Sequence, residues 1–343
     1  MNNSLLDLLS KKNGRRCFVI AEGCDNHLGN MDVAKEMCLR AKLAGADAIK
    51  FQHHLPDEEM LPDVSMSDNF EEPLYEFLKK YALKLDDHAE LMRYCEELGI
   101  KYMCTPFSYK AAEEMVSIGL DMIKIGSGEM TDIPSLVKMA TVLRKPMIVS
   151  TGMCTFEEID RTYAALIETG IPLALTHCVS EYPPVYEDIN VGLIPVLRKR
   201  YPKALIGHSD HTPDLYTCFA AVTLGAKIVE KHVILDKRQP GPDQSVSIDF
   251  QDLKQLVDGI RKIESSSGTE KKIHVREKQI REWAFRSIVS TRRITAGEVI
   301  DGEMIWSKRP GTGIPSRFRD EVIGKTAIVD IEENTLLKWE DLN

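Results

Sequence analysis

The strongest constraint on the fold of this chain is a regular alternation between short apolar runs and longer amphipathic segments. The amphipathic segments carry apolar residues at helical spacing, and several run into a glycine that can close a helix in the left-handed conformation. Eight such β-to-α alternations within about 250 residues predict an α/β fold, a (β/α)8 TIM barrel. The predicted strands are Cys17 to Ala21, Ala48 to Phe51, Tyr102 to Cys104, Met122 to Ile125, Pro146 to Val149, Leu173 to Thr176, Leu205 to Gly207 and Ile228 to Glu230.

An open, doubly wound sheet is the competing architecture, and it is disfavoured because no Gly-x-Gly-x-x-Gly turn follows the first predicted strand. A chain of 343 residues can form one large domain and a small one. The polar stretch Glu264 to Lys272 has the composition of an interdomain linker. We expect a barrel domain over 1–263, a linker over 264–282 and a small mainly-β domain over 283–343. The short strands of the small domain are predicted at Ser287 to Ser290, Ile294 to Ile300, Met304 to Lys308 and Ala327 to Ile331.

The composition argues against several classes of function. A formal net charge of −9 leaves no broad basic face for displacing counterions from nucleic acid. No run approaches the roughly 20 apolar residues that span a bilayer, and no secretory leader pattern is present. The eight cysteines form no Cys-x-x-Cys pair and no disulfide framework, which is typical of a reducing compartment. We therefore expect a cytoplasmic protein that binds neither nucleic acid nor membrane.

Three potential metal ligands follow the strands of one predicted βαβ unit, which begins at Leu205. His211 and His232 follow the two strands, and Asp243 lies on the loop after the second. Because the carboxyl ends of parallel strands meet at one edge, these side chains are expected to converge. Neutral imidazoles and a carboxylate suit a catalytic Mn²⁺- or Zn²⁺-like ion. The alternative is that the histidines only cap the strands, but the neighbouring Asp210 favours a metal site.

Two lysines and four hydroxyl residues also fall near the predicted strand ends. A lysine there is often a surface residue whose stem packs along apolar neighbours, and serines are common in turns, so each residue alone has an ordinary explanation. Together they predict a phosphate pocket, in which neighbouring glycines would let backbone N–H groups approach an anion. The residues are Lys50, Lys124, Thr105, Ser127, Ser150 and Ser209, with Gly126, Gly128 and Gly152.

The content and order of these motifs resemble the sialic acid (N-acetylneuraminate) synthases of bacteria, a family that includes legionaminic and pseudaminic acid synthases. The resemblance covers nearly the whole chain and includes a carboxyl-terminal antifreeze-like (SAF) domain. The matching segments are Glu22 with Asn26–Gly29, Lys50–Gln52, Thr105–Ser108, Lys124–Glu129, Ser150–Met153, Ser209–His211, Glu230–His232, Gly241–Asp243 and Lys308–Gly311.

The resemblance implies a reaction, a cofactor and an assembly. Members of the family condense phosphoenolpyruvate with an N-acetylated hexose such as N-acetylmannosamine, which gives a nine-carbon 2-keto sugar acid and phosphate. They use a divalent ion, Mn²⁺ or Mg²⁺ above all. They form homodimers in which the SAF domain of one subunit covers the barrel mouth of the other.

Carried over residue by residue, the resemblance also implies roles for individual side chains. It implies metal ligation by His211 and His232, and catalytic roles for both histidines and for Glu22, Glu129 and Asp243. It places the substrates against Lys50, Gln52, Asn69, Thr105, Lys124, Ser127, Ser150, Tyr182, Ser209, Asp243 and the partner subunit's Arg309.

Two departures from the family pattern bear on the sugar. Phe51 stands where sialic acid synthases often have histidine, and Ser180 stands where they often have asparagine. Both positions are expected near the substrate pockets, so a 2,4-diacetamido-trideoxyhexose of the legionaminic or pseudaminic type is the alternative to N-acetylmannosamine. Two other classes stay open from the residues alone. One is a class I aldolase with Lys50 or Lys124 as its Schiff base, and the other is a non-catalytic carbohydrate-binding protein.

Overall fold

The computed structural model describes residues 16–64 and 72–343 of the chain. They form two compact units, of which the first ends at Ser267 and the second comprises Gly268–Asn343. Within the described ranges, no helix combines the length and the apolar character needed to cross a bilayer.

The first unit is a closed barrel of eight parallel strands in sequence order, which confirms the predicted fold. The ring closes between the first and last strands, where Phe18 pairs with Ile228 and Glu22 with His232. Most strands extend farther toward their carboxyl ends than the apolar runs predict, because polar residues continue the ladder. The strands are β1 (Phe18–Glu22), β2 (Ala48–His53), β3 (Lys101–Pro106), β4 (Ile123–Ile125), β5 (Met147–Ser150), β6 (Leu173–Cys178), β7 (Leu205–Asp210) and β8 (Ile228–His232).

The helices follow local signals in the sequence. The first begins after Asn30, whose side chain accepts hydrogen bonds from two backbone N–H groups, and ends at Gly45 with a φ of 85°. Thr155 and Glu158 form a capping box at the start of another. The helices of this unit are α1 (Met31–Ala44), α2 (Pro56–Glu59), α3 (Leu74–Tyr81), α4 (Leu85–Leu98), α5 (Tyr109–Ser117), α6 (Ile133–Lys138), α7 (Phe156–Glu168), α8 (Tyr186–Ile189), α9 (Leu193–Arg200), α10 (Tyr216–Thr223) and α11 (Phe250–Ser266).

The sequence pattern misses the short helices α2, α3 and α8, which hold four to eight residues each. Such segments are too short for helical periodicity to distinguish them from loops. It also predicts one helix from Ile133 to Val142. The structure instead has α6 followed by a π-helical turn, Met139–Leu143, which ends at Arg144 in the left-handed region.

Alternate residues of each strand face opposite sides of the barrel wall. One apolar cluster therefore fills the barrel interior, and a larger one lies between the strands and the helices. Toward the carboxyl ends the inward positions become polar. On β8, Ile228 belongs to the interior cluster, and the next inward positions are Glu230 and His232. The buried interior cluster consists of Phe18, Ile20, Ala48, Met103, Met122, Ile148, Ala174 and Ile228.

A buried ion pair joins the last two strands on the outer side of the barrel. Asp210 of β7 and Lys231 of β8 are register partners, and Lys231 Nζ lies 2.5 Å from Asp210 Oδ2. Both residues are at most 2% exposed. Asp210 also accepts hydrogen bonds of 2.7 Å from the hydroxyls of Thr212 and Thr217. The pair fixes the register of β7 against β8, where the residues on either side of it face the interior.

The second unit has an apolar core around an antiparallel pair, β9 (Ser287–Ser290) and β10 (Ile305–Lys308). The predicted strands Ile294 to Ile300 and Ala327 to Ile331 are not formed, because these segments make only isolated bridges. Helix α12 (Val275–Ala284) begins within the stretch predicted as a linker and ends two residues beyond it. The buried core residues are Ile288, Ile294, Ile300, Met304, Ile305, Ile314, Val322, Ala327, Ile331, Leu337 and Leu342.

Replacing Lys231 with methionine should destabilise the barrel strongly. The change leaves the buried Asp210 carboxylate without its cation, and removing one partner of a buried pair costs about 3–5 kcal/mol. Lys101→Met is the matched control, because Lys101 pairs with Asp121 near the surface, where the side chains are 23% and 46% exposed. That change should cost at most about 1 kcal/mol. Denaturant unfolding of both variants tests this difference. Equal losses of unfolding free energy in the two variants would contradict the proposed contribution of the buried pair to stability.

Candidate active site

A cavity of about 480 Å³ lies at the carboxyl ends of the barrel strands. Each strand delivers its last inward-facing side chains to it, as the alternation of the parallel ladder requires. Of the fifteen predicted site residues, thirteen line this cavity. They are Glu22, Lys50, Gln52, Thr105, Lys124, Ser127, Glu129, Ser150, Tyr182, Ser209, His211, His232 and Asp243.

The other two predicted site residues are not part of this cavity lining. Asn69 lies outside the described residues. Arg309 belongs to the second unit, where its Nε donates a hydrogen bond of 3.1 Å to the carbonyl of Ala284. Its guanidinium also lies 5.4 Å from the centroid of the Trp283 ring.

Two buried lysines form what we call the cationic floor of the cavity. Lys50 contacts the Glu22 carboxylate and donates a hydrogen bond of 2.8 Å to Thr105 Oγ1. Lys124 donates to Ser150 Oγ at 2.6 Å. Each of the two lysine residues is 2% exposed, so its ammonium group is shielded from bulk water.

Glu230 joins the two lysines, a role that the sequence analysis does not assign to it. Its Oε1 lies 3.8 Å from Lys50 Nζ and 3.7 Å from Lys124 Nζ, and it accepts a hydrogen bond of 3.0 Å from Ser209 Oγ. Burial lowers the pKa of Lys50 to about 8, although the charge of Glu230 opposes this shift. Burial favours protonation of Glu230, but the two lysines outweigh it and lower its pKa.

Two histidines face each other in the same cavity. The ring centroids of His211 and His232 lie 5.1 Å apart. His211 Nδ1 lies 2.7 Å from the carbonyl of Val179, and its Nε2 lies 3.1 Å from the hydroxyl of Tyr182. Burial and the neighbouring His211 hold the pKa of His232 well below its ordinary value. His232 is therefore neutral, the form that can bind a metal ion.

His232 also has an unused donor atom. Its Nδ1 is buried without a hydrogen-bond partner among the described residues, and it lies 4.0 Å from Asp243 Oδ1. The potential ligand atoms of Cys24, His232 and Asp243 all lie within 4.8 Å of one another. The predicted convergence of the two histidines with Asp243 is thus present, and a thiol that the sequence analysis does not single out lies beside them.

An acidic wall, formed by Asp25, Glu59 and Glu129, lines another part of the cavity. Each of the three has one buried carboxylate oxygen without a hydrogen-bond partner among the described residues. His54 lies between two of them, with Nδ1 2.9 Å from Glu59 Oε1 and Nε2 3.6 Å from Asp25 Oδ2. Its ring stacks on Phe107 with the centroids 4.3 Å apart. Only Glu129 of this wall is among the predicted site residues.

Some residues that the sequence places near the site face away from it. Asp210, which favours the metal hypothesis in the sequence, points outward and binds Lys231 instead. Phe51 also faces the outer side, where its ring centroid lies 5.6 Å from that of His27. Ser180, by contrast, lines the cavity. Of the two positions that depart from the family pattern, therefore, only Ser180 lies in the cavity lining.

Gly152 has to be glycine, because the Ser127 hydroxyl in the cavity wall approaches its backbone closely. The backbone N–H of Gly152 donates a hydrogen bond of 3.1 Å to Ser127 Oγ. A Cβ atom at this position would lie 2.7 Å from the same oxygen. Any larger residue here would have to displace a hydroxyl from the cavity wall.

A TIM barrel with a cationic floor and a histidine pair at the carboxyl ends of its strands has the layout of an enzyme. The NeuB family model matches residues 37–272, and the SAF domain model matches residues 285–343. The chain therefore belongs to the NeuB family and carries a SAF domain, as the sequence motifs predict.

Known relatives agree with this family assignment. The chain is 34% identical to the N,N'-diacetyllegionaminic acid synthase of Legionella pneumophila over 99% of both proteins. It is 30% identical to the N-acetylneuraminate-9-phosphate synthase of Homo sapiens over 94% of this chain and 92% of that protein. Its structure is similar to that of the N-acetylneuraminic acid (sialic acid) synthetase of Leptospira borgpetersenii in complex with citrate. The TM-score is 0.71 at 28% identity, and the match covers 78% of this chain and 91% of that one.

The relatives establish a family of nonulosonic acid synthases, and they favour a synthase over the aldolase and the non-catalytic binder that the residues alone leave open. The names of these relatives indicate two kinds of product, legionaminic acid and N-acetylneuraminate. Membership of the family is therefore compatible with either of the two sugars considered above.

Proposed function

We propose that this enzyme condenses phosphoenolpyruvate with an N-acetylated hexose, N-acetylmannosamine or a relative, to a nine-carbon 2-keto sugar acid and phosphate. The observation that carries the proposal is one cavity holding a cationic floor, a histidine pair and an acidic wall. The alternative sugar is a 2,4-diacetamido-trideoxyhexose, which would make the enzyme a legionaminic or pseudaminic acid synthase. The similarity to the Legionella synthase supports this alternative as much as the human relative supports the first.

The cationic floor would bind phosphoenolpyruvate. Lys50 and Lys124 supply two positive charges, which Glu22 and Glu230 pair with in the free enzyme and which would interact with the phosphate and carboxylate of the substrate when it enters. Hydroxyl groups around the lysines would donate hydrogen bonds to the anionic oxygens, and in a buried site such charge-assisted bonds are strong. The proposed hydroxyl ligands are Thr105, Ser127, Ser150 and Ser209.

The histidine pair would hold the divalent ion, for which the resemblance suggests Mn²⁺ or Mg²⁺. His232 supports this role, because its buried Nδ1 has no other partner among the described residues. When bound, the ion would act as a Lewis acid on the sugar aldehyde. Excess chelator should therefore abolish turnover.

The protein's own carboxylates would serve the bond-forming steps. C3 of phosphoenolpyruvate attacks the aldehyde carbon, and the aldehyde oxygen takes up a proton from solvent and becomes a hydroxyl group. The positive charge that develops at C2 is stabilised by the buried Glu22 and Glu230. Water adds to C2 and loses a proton to a carboxylate, for which Glu22 and Glu129 are the candidates. The C2–O bond to the phosphoryl group then breaks, and phosphate leaves.

The rest of the cavity would bind the sugar. Gln52, Tyr182 and Asp243 are the predicted contacts, together with Asn69. The unpartnered oxygens of the acidic wall add acceptors for sugar hydroxyl and amide N–H groups. The same carboxylates disfavour a phosphate group on the sugar, because like charges repel in a buried site. We therefore expect an unphosphorylated acceptor.

The dimer of the family is also proposed for this chain. In that arrangement the SAF domain covers the barrel mouth of the other subunit, and the partner subunit's Arg309 completes the sugar site in trans. The active species would be a homodimer with isologous contacts.

The first test measures phosphate release from phosphoenolpyruvate with N-acetylmannosamine and with a 2,4-diacetamido-trideoxyhexose in parallel. Release should require a sugar, and the sugar with the higher kcat/KM identifies the physiological class. N-acetylmannosamine 6-phosphate serves as the charged control and should be a poor substrate. Absence of sugar-dependent release with every N-acetylated hexose would contradict the proposed function.

The second test concerns Lys50 and pH. A protonated Lys50 binds the anion, so kcat/KM for phosphoenolpyruvate should fall as the pH rises through about 8, the pKa of the free enzyme's lysine. Lys50→Met should raise KM for phosphoenolpyruvate and remove this limb of the pH profile. Lys101→Met, a lysine near the opposite end of the barrel, should keep the wild-type profile. Unchanged phosphoenolpyruvate kinetics in folded Lys50→Met would place the lysine outside the anion site.

The third test concerns the dimer. Arg309→Ala and His211→Ala homodimers should both be inactive. In a random mixture half of the dimers carry one subunit of each kind, and each such dimer has one site free of both lesions. About a quarter of wild-type activity should therefore return after subunit exchange. No recovery after verified exchange would show that Arg309 serves its own barrel.

A further inference from the structure

Cys24 lies two residues beyond the end of β1 and is fully buried. Its backbone N–H donates a hydrogen bond of 2.6 Å to Glu22 Oε1, and its φ of 37° lies in the left-handed region. A residue with a side chain is strained there, whereas glycine would not be. The chain nevertheless places a thiol at this point, with its sulfur within 4.8 Å of an Asp243 carboxylate oxygen.

The donor atoms around this thiol have the arrangement of a metal site. The ligand atoms of Cys24, His232 and Asp243 lie within 4.8 Å of one another. Donors that share one tetrahedral ion stand about 3.5 Å apart, given metal–ligand bonds of about 2.0–2.3 Å, so small side-chain movements would suffice. The second, independent observation is His232 Nδ1, which is buried, has no partner among the described residues and lies 4.0 Å from Asp243 Oδ1.

We propose that Cys24 is a thiolate ligand of the catalytic metal, together with His232 and Asp243. On binding, the S–H bond breaks, the sulfur bonds to the ion and the proton passes to solvent. The thiolate and the carboxylate then balance the two charges of the ion. His211, the other member of the histidine pair proposed to hold the ion, is retained as a ligand beside this set, with its ring centroid 5.1 Å from that of His232.

A sulfur ligand changes which metals the site favours. Thiolate is a soft donor that suits Zn²⁺ and other thiophilic transition metals, whereas Mg²⁺ prefers oxygen ligands. The site should therefore bind Zn²⁺ and Co²⁺ much more tightly than Mg²⁺. This inference refines the metal component of the proposed function and is independent of which sugar the enzyme uses.

The cavity offers a matched control for the thiol. Cys178 lines the cavity, is buried like Cys24, and has its Sγ 3.8 Å from His211 Nδ1. It is not part of the compact donor set among the described residues. A spectroscopic signal of sulfur ligation must therefore come from Cys24 and persist without Cys178.

The experiment titrates the chelator-stripped full chain with Co²⁺ and records the absorption spectrum. A sulfur-to-cobalt charge-transfer band should appear in the near ultraviolet with the visible d–d bands. Cys24→Ser and Cys24→Gly should lose the charge-transfer band, and both should bind Zn²⁺ at least about tenfold more weakly. The glycine variant suits the positive φ, so near-wild-type thermal unfolding of the metal-free protein shows that its fold is intact. Cys178→Ser should keep the band, and His232→Ala should lose cobalt binding.

Three outcomes would overturn the proposal. The first is cobalt binding that gives d–d bands without a charge-transfer band. The second is a charge-transfer band that persists in both Cys24 variants. The third is loss of the charge-transfer band in Cys178→Ser alone. Failure of cobalt to bind at all would overturn this inference and the metal component of the proposed function together. A cobalt band that depends on Cys24, with no sugar-dependent phosphate release, would support this ligand set and contradict only the proposed reaction.

Discussion

The site depends on the way in which four charges are buried together at one end of the barrel. Glu230 approaches Lys50 and Lys124 within 3.8 Å, and Glu22 contacts Lys50. Isolated charges would be very costly there, so each must be held by an opposite charge. The strands fix the arrangement, because Glu22 of β1 is the register partner of Lys50 on β2 and of His232 on β8.

The outer face of the barrel wall contributes to stability, and the inner face forms the cavity. On β7 and β8, Ser209 and Glu230 meet on the inner face, and the next register pair, Asp210 and Lys231, forms its ion pair on the outer face. The next residues along the chain, His211 after β7 and His232 at the end of β8, return to the inner face and line the cavity. Residues adjacent in sequence therefore have different functions, because the strand period of two sends them to opposite environments.

Much of the fold and of the candidate site could be predicted from sequence, because the signals are local. Apolar runs and glycine caps define strands and helices, and polar residues at strand ends must meet at one rim. Glu230 could not be assigned in this way, since its role depends on distances between three strands. Asp25, His54 and Glu59 lie on loops and a short helix whose course no periodic pattern fixes. In the second unit, single-residue bridges replace the strands that β-type composition predicts at 294–300 and 327–331.

The most direct measurement follows an isotope through the reaction. Phosphoenolpyruvate labelled with ¹⁸O in the bridge between C2 and phosphorus is incubated with the enzyme and the sugar it accepts, and both products are analysed by mass spectrometry. The account predicts that the label leaves with phosphate, because the C2–O bond breaks, and that a nine-carbon 2-keto acid forms with its C2 oxygen derived from water. Label retained at C2 of the sugar acid, or phosphate released without a nine-carbon product, would contradict it.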